Sequence, residues 1–119
     1  MLEQAERLHR QFFRPSRTRG VRVAWEPPVD VFEDDGTYTI VVALPGVTPE
    51  CVEVLLDSSS IVVRAICEMS LGLNARAIRR LEIPHGHFER RIQLPAMRFE
   101  LEQRKMVNGC LILNLRKVF

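Results

Sequence analysis

Apolar and polar positions in this chain follow two different rhythms. Over residues 1–13, Leu2, Ala5, Leu8 and Phe12 recur at helical spacing with Glu and Arg between them, which predicts a short amphipathic helix. Residues 14–20, Arg-Pro-Ser-Arg-Thr-Arg-Gly, contain no apolar anchor, and both Pro and Gly interrupt regular structure, so a flexible linker is expected there. From Trp25 onward the period becomes two. Tyr38, Ile40, Val42 and Leu44 fall on one face of a β-branched run that opens at Thr37, the pattern of a half-buried strand. Asp34-Asp35-Gly36 before it is a turn signal, which makes residues 29–33 the first arm of a hairpin. Pro45-Gly46 ends the run. Val52, Val54 and Leu56 then alternate with Cys51, Glu53 and Leu55, and Ser58-Ser59 leads into Ile61-Val62-Val63, a second hairpin. Residues 88–94 closed by Pro95, residues 99–107, and residues 111–115 beyond Asn108-Gly109 supply three more strands. Asn-Gly is the strongest local hairpin signal in the chain.

Six or seven short strands without a helix between them imply an all-β antiparallel sandwich or barrel. Residues 25–119 form that domain, and residues 1–24 precede it as a partly amphipathic arm. Residues 66–85 make a long connection for a compact domain, a length at which a loop usually has a function. Inside it Ile78, Arg79, Arg80, Leu81 and Glu82 fit an extra strand.

Composition narrows the classes. A chain of 119 residues with 46% hydrophobic content builds one core. No run approaches the roughly 18 apolar residues of a membrane span, and the N-terminus alternates charge with apolar residues, so a soluble cytoplasmic protein is expected. Cys51, Cys67 and Cys110 are odd in number and lack CxxC spacing, suggesting reduced thiols in place of disulfides or a zinc site. The net charge of +2 divides unevenly. Six arginines against Glu3 and Glu6 give residues 1–24 a charge of +4, and eleven basic against thirteen acidic residues give the remainder −2. The body therefore has no electrostatic reason to seek nucleic acid.

The punctuation of the strands carries a resemblance. Trp25-Glu26-Pro27-Pro28-Val29-Asp30-Val31, then Leu44-Pro45-Gly46-Val47, then Gly86-His87-Phe88 leading to Leu94-Pro95, and finally Asn108-Gly109-Cys110-Leu111-Ile112-Leu113 resemble the small heat-shock proteins and their alpha-crystallin domain, in the bacterial type. That resemblance implies an immunoglobulin-like β-sandwich with a long strand-exchange loop. It implies an ATP-independent holdase, without cofactor, that binds unfolded client proteins before they aggregate. It also implies a homodimer or small homo-oligomer, with hetero-oligomers of other small heat-shock proteins as further partners. Carried over by position, residues 78–82 would be exchanged with a second copy and dock on its edge at Val29 and Val31. A groove at the opposite edge would be lined by Val54 and Leu56 from one strand and by Leu101 and Gln103 from another. The arm residues Leu2, Leu8, Phe12 and Phe13 would touch clients, or else pack on the domain itself.

The chain departs from the family pattern at several places. It stops at Arg116-Lys117-Val118-Phe119 without the Ile-x-Ile tail that fills a neighbour's groove, so a small assembly with an open groove is expected. Residues 66–73 are apolar where the family has a Lys/Glu-rich stretch. Arg104 stands where the family has Ala, and because a buried arginine is costly unless paired, it is expected at an edge or interface. Other chemistries lack residues. His85 and His87 have no third ligand at useful spacing for a metal. Ser58-Ser59-Ser60 has no nucleophile-elbow glycines or nearby base, and no Gly-rich phosphate loop is present. A catalytic role is therefore not expected. Two other readings remain open at this level: an adaptor or co-chaperone of the CS-domain type, and single-stranded nucleic-acid binding by the arginines of the arm with Phe12 and Phe13 interleaved.

Overall fold

The computed structural model of the chain describes residues 14–17, 23–67 and 76–119. Their strands are β1 (Arg14–Arg17), β2 (Val23–Glu26), β3 (Val29–Glu33), β4 (Thr37–Ala43), β5 (Val52–Leu56), β6 (Ser60–Cys67), β7 (Gly86–Gln93), β8 (Arg98–Val107) and β9 (Cys110–Val118), with one 3-10 turn at Pro49–Cys51. They lie in two sheets, ordered β1-β2-β7-β6-β5 and β3-β4-β9-β8. Pairing is antiparallel except where Trp25 of β2 runs beside Phe88 of β7. This is the all-β sandwich that the two-residue period predicts.

Alternation builds the core. In one sheet Ile40 of β4 stands opposite Leu113 of β9, and Val42 opposite Leu111. In the other, Ile61 of β6 stands opposite Ile92 of β7, and Ala65 opposite Phe88. These side chains, with Leu44, Val63, Cys67 and Leu115, are buried between the layers, where each large one contributes about 1.5–3 kcal/mol of transfer free energy. The Pro45-Gly46 stop is required by the same core. Gly46 has φ +78°, and a Cβ there would stand 3.1 Å from the Cys67 sulfur, whose thiol donates to the Gly46 carbonyl at 3.4 Å.

Three turns set the register. Asn108 (φ 51°) and Gly109 (φ 77°) are both left-handed, the type I′ geometry that matches strand twist. Between β3 and β4, the Asp34 carboxylate accepts the backbone N–H of Gly36 and Thr37 at 2.9 and 2.7 Å and the Thr37 hydroxyl at 2.8 Å. Lys117 then ties this turn to the end of β9, donating to the Asp34 carbonyl at 2.6 Å and pairing with Glu33 at 2.8 Å. Between β5 and β6, Asp57 accepts the N–H of Ser59 and Ser60 at 2.8 and 2.7 Å.

Three sequence-based expectations change. Arg14–Arg17, expected to be linker, is a strand paired with β2. Pro15 is tolerated because β1 is an edge, where a missing N–H need not interrupt a ladder. Residues 78–82 are not a strand within the single chain. Ile66 and Cys67 close β6 instead of opening a loop, and the helix expected over residues 1–13 lies outside the described residues.

The two aspartate turns generate a pH prediction. The Thr37 hydroxyl, followed by the Thr37 and Gly36 amides, holds the Asp34 carboxyl below its ordinary 3.8. The Ser59 and Ser60 amides do the same for Asp57. A depressed carboxylate contributes stability that is present above its unfolded pKa and is lost as pH falls through the lower folded value. Urea unfolding of the native chain should therefore lose stability as pH drops below 3.8. Asp34→Asn and Asp57→Asn should each flatten that decline, and a slope unchanged in both variants rejects the assignment.

Candidate functional site

The sandwich has two sides where strands end a sheet, and at both the hydrogen-bonding parity can be read from a turn. At β3, Asp34 N–H donates to the Thr37 carbonyl, and Ala43 N–H donates to the Pro28 carbonyl. Even-numbered residues of β3 therefore bond to β4, and Val29, Val31 and Glu33 present their N–H and C=O groups to the free edge. The same three residues turn their side chains inward, opposite Val42, Ile40 and Tyr38. Val29 packs on the core. Val31 is 41% exposed although its partner Ile40 is fully buried, so the sandwich is open along this edge. Phe32, on the outer face, is 59% exposed.

The segment that leads into β7 is exposed as well. Ile78 is 75% and Leu81 63% accessible, with Arg79, Arg80 and Glu82 also exposed. Its far end is held. The Trp25 indole N–H donates to the His85 carbonyl at 3.1 Å, Pro84 is buried, and Gly86 has φ +94°, a conformation that favours glycine. The structure thus fixes one end of this apolar segment and leaves its middle without a strand partner among the described residues.

On the other side, β5 and β8 are the edges of opposite sheets. Asp57 N–H donates to the Ser60 carbonyl, so odd-numbered residues of β5 bond to β6; Val54 and Leu56 present free main-chain groups, while the Val52 N–H donates to the Pro49 carbonyl. Val54 and Leu56 are half-buried against the core, and Leu101 of β8, facing inward opposite Leu115, is 37% exposed. Gln103 is placed differently from the sequence-based expectation. A bulge between Leu101 and Gln103 adds one residue to β8, and Gln103 faces the outer surface, accepting from Asn114 at 3.3 Å in a ladder that continues to Thr39. Arg104 takes the inward position opposite Leu113. Its guanidinium crosses to β5 and donates to the Val52 carbonyl at 3.0 Å. An inward-pointing charge on an edge strand opposes indiscriminate edge-to-edge pairing.

The arm residues Leu2, Leu8, Phe12 and Phe13 lie outside the described residues. Cys51, Cys67 and Cys110 are free thiols, and burial pushes the Cys67 thiol up. Among the described residues, no group of three or more His, Cys, Asp or Glu side chains is placed to hold a metal ion, and no helix is long and apolar enough to cross a membrane. The Arg104 latch was partly signalled in the sequence, since Arg104 keeps the parity of Met106 counted back from Asn108-Gly109. The bulge that exchanges it for Gln103 had no Gly or Pro to announce it.

Residues 30–118 match the model of the Hsp20/alpha crystallin family. The chain belongs to that family. Its membership supports a chaperone role in general terms. Heat shock protein 42 of Saccharomyces cerevisiae is 27% identical to this family member over 99 residues, covering 79% of this chain. The chain spans about a quarter (26%) of that relative's length. Heat shock protein 16.0 of Schizosaccharomyces pombe has a similar structure, with a TM-score of 0.66 at 29% identity, covering 78% of this chain and 87% of its own. HspA of Xanthomonas axonopodis gives 0.66 at 26%, covering 78% and 94%. These relatives are fungal as well as bacterial, so a specifically bacterial type does not follow from them.

The Trp25 anchor should be measurable. Losing a neutral hydrogen bond of this kind costs about 1 kcal/mol. Trp25→Phe should accordingly free the segment before Gly86, and limited trypsin digestion should cut after Arg79 and Arg80 several-fold faster than in the native chain. Equal cutting rates would show that the indole bond does not restrain the segment.

Proposed function

We propose that this chain is an ATP-independent holdase that captures unfolding polypeptides and prevents their aggregation, acting as a dimer or small oligomer. The observation that carries this reading is the coincidence, at both open sides, of unpaired main-chain groups with incompletely buried apolar side chains: Val29 and Val31 on β3, and Val54 and Leu56 on β5 facing Leu101 of β8. An extended segment added at such an edge gains backbone hydrogen bonds that do not depend on its sequence, while its alternate side chains enter apolar positions. A few buried side chains at roughly 1.5–3 kcal/mol each, less the cost of ordering the client, give weak and reversible capture.

The two sides suit different occupants. Residues 78–82 carry the exposed Ile78 and Leu81 without a strand partner among the described residues, and they are the segment that would pair with β3 of a second copy. The β5/β8 cleft, and the arm residues Leu2, Leu8, Phe12 and Phe13, would then serve clients or other small heat-shock proteins.

Two measurements test this. The chain should suppress light scattering from a heat-labile model protein at near-stoichiometric ratio without ATP, and the absence of suppression at every ratio would remove the holdase reading. Mass in solution should be that of a dimer or small oligomer, and deletion of residues 78–82 should give monomers that keep their far-UV circular dichroism. A native chain that is strictly monomeric would argue against exchange and favour an adaptor role.

A further inference from the structure

The β5/β8 cleft contains a charge that forms no ion pair among the described residues. Arg104 faces inward from β8, and one of its five N–H donors is used on the Val52 carbonyl at 3.0 Å. Among the described residues it has no ion-pair partner: Glu100 is taken by Arg116, Glu89 by Arg64, Glu26 by Arg90 and Glu33 by Lys117. Glu102, two residues before it at the bulge, makes no ion pair with it either. A guanidinium does not lose its proton in a protein, so the cleft keeps a fixed positive charge at one end.

Its position relative to the apolar part of the cleft is also fixed. Val52, Val54 and Leu56 share one parity of β5, and of these Val54 and Leu56 leave their main-chain groups at the free edge, whereas the Val52 N–H is taken by the Pro49 carbonyl. Arg104 occupies the Val52 carbonyl and therefore stops strand addition there, while the edge at Val54 and Leu56 stays open. Resting on the proposal that this cleft receives extended segments, we infer that Arg104 selects what it receives: an apolar-x-apolar segment carrying Asp or Glu two positions beyond an apolar residue. The two apolar side chains lie over Val54 and Leu56. The carboxylate, on the same face of the added strand, then reaches the guanidinium donors that Val52 leaves free. A bidentate carboxylate satisfies those donors in a way that a Gln or a second backbone carbonyl does not. A Lys at that position meets like charge.

The test uses fluorescent peptides that read the same in either strand direction, Glu-Thr-Val-Thr-Val-Thr-Glu and its counterparts with Gln or Lys at both ends, titrated against the full chain by anisotropy. An exposed charge pair is worth at most about 1 kcal/mol, so the Glu peptide should bind up to about fivefold tighter than the Gln peptide, and the Lys peptide should bind weakest. The ranking should shrink in high salt. Arg104→Ala should erase the ranking, and Arg104→Glu should reverse it, with circular dichroism confirming that both variants fold. Val54→Ser should weaken all three peptides together. Equal binding of the three peptides to the native chain would overturn the selectivity and leave the cleft reading standing. So would Arg104→Ala strengthening all three alike, since Arg104 would then be a plug. No binding of any peptide would remove the cleft reading and this inference with it.

Discussion

Side chains and main-chain hydrogen-bonding groups alternate along a strand with the same period of two, and the binding surfaces of this domain follow from how the two alternations are phased. At β3 and at β5 the residues whose side chains turn inward are also those whose N–H and C=O groups miss the neighbouring strand. Strand direction and backbone chirality fix that phase, and the Asp34–Thr37 and Asp57–Ser60 pairs at the turns decide which residues occupy the inward, free-edge positions. Had either hairpin closed one residue later, side chains of the opposite parity would turn inward beside the free main-chain groups, and at β3 an added segment would meet Asp30 and Phe32 in place of Val29 and Val31. The aspartates that cap these turns thus determine more than local stability. Lys117 extends that control across the sheet, because it ties the β3–β4 turn to the last strand.

Much of this was readable in the sequence. The hairpins β3–β4, β5–β6 and β8–β9 were legible because Asp-Gly, Ser-Ser and Asn-Gly signals separated runs of strict alternation, and the inward residues Ile40, Val42, Leu111 and Leu113 followed directly. Three things were not legible. Arg14–Arg17 pairs with β2 in spite of Pro15, because the cost of a missing donor depends on whether a strand is at an edge, which is a tertiary fact. The bulge in β8 falls within Glu-Leu-Glu-Gln-Arg, where every residue tolerates an exposed strand and none demands irregular backbone. Val31 counts as a core position by parity, yet it stays 41% exposed, and alternation alone cannot show where a sandwich stops.

The cleft and the β3 edge also differ in how they guard against uncontrolled association. At β3 the exposed apolar groups Val31 and Phe32 have Asp30 and Glu33 beside them, and the main-chain edge itself is free. At β5 the guard is a bond: a guanidinium sits on the first free carbonyl and shortens the edge available for pairing. Such an edge is short enough that pairing alone binds weakly, which suits a surface that must release what it holds.

The bulge at Glu102 has an evolutionary consequence. Because the extra residue is absorbed between Leu101 and Gln103, loss of the Glu102 codon would straighten β8 and leave Arg104 facing the cleft, whereas loss of one codon between Arg104 and Asn108 would turn Gln103 inward and replace a fixed cation with a neutral amide without any substitution at the cleft itself. Divergence in binding preference among such domains can therefore proceed by single-residue insertion and deletion in an edge strand, a route that position-by-position comparison of cleft residues would overlook.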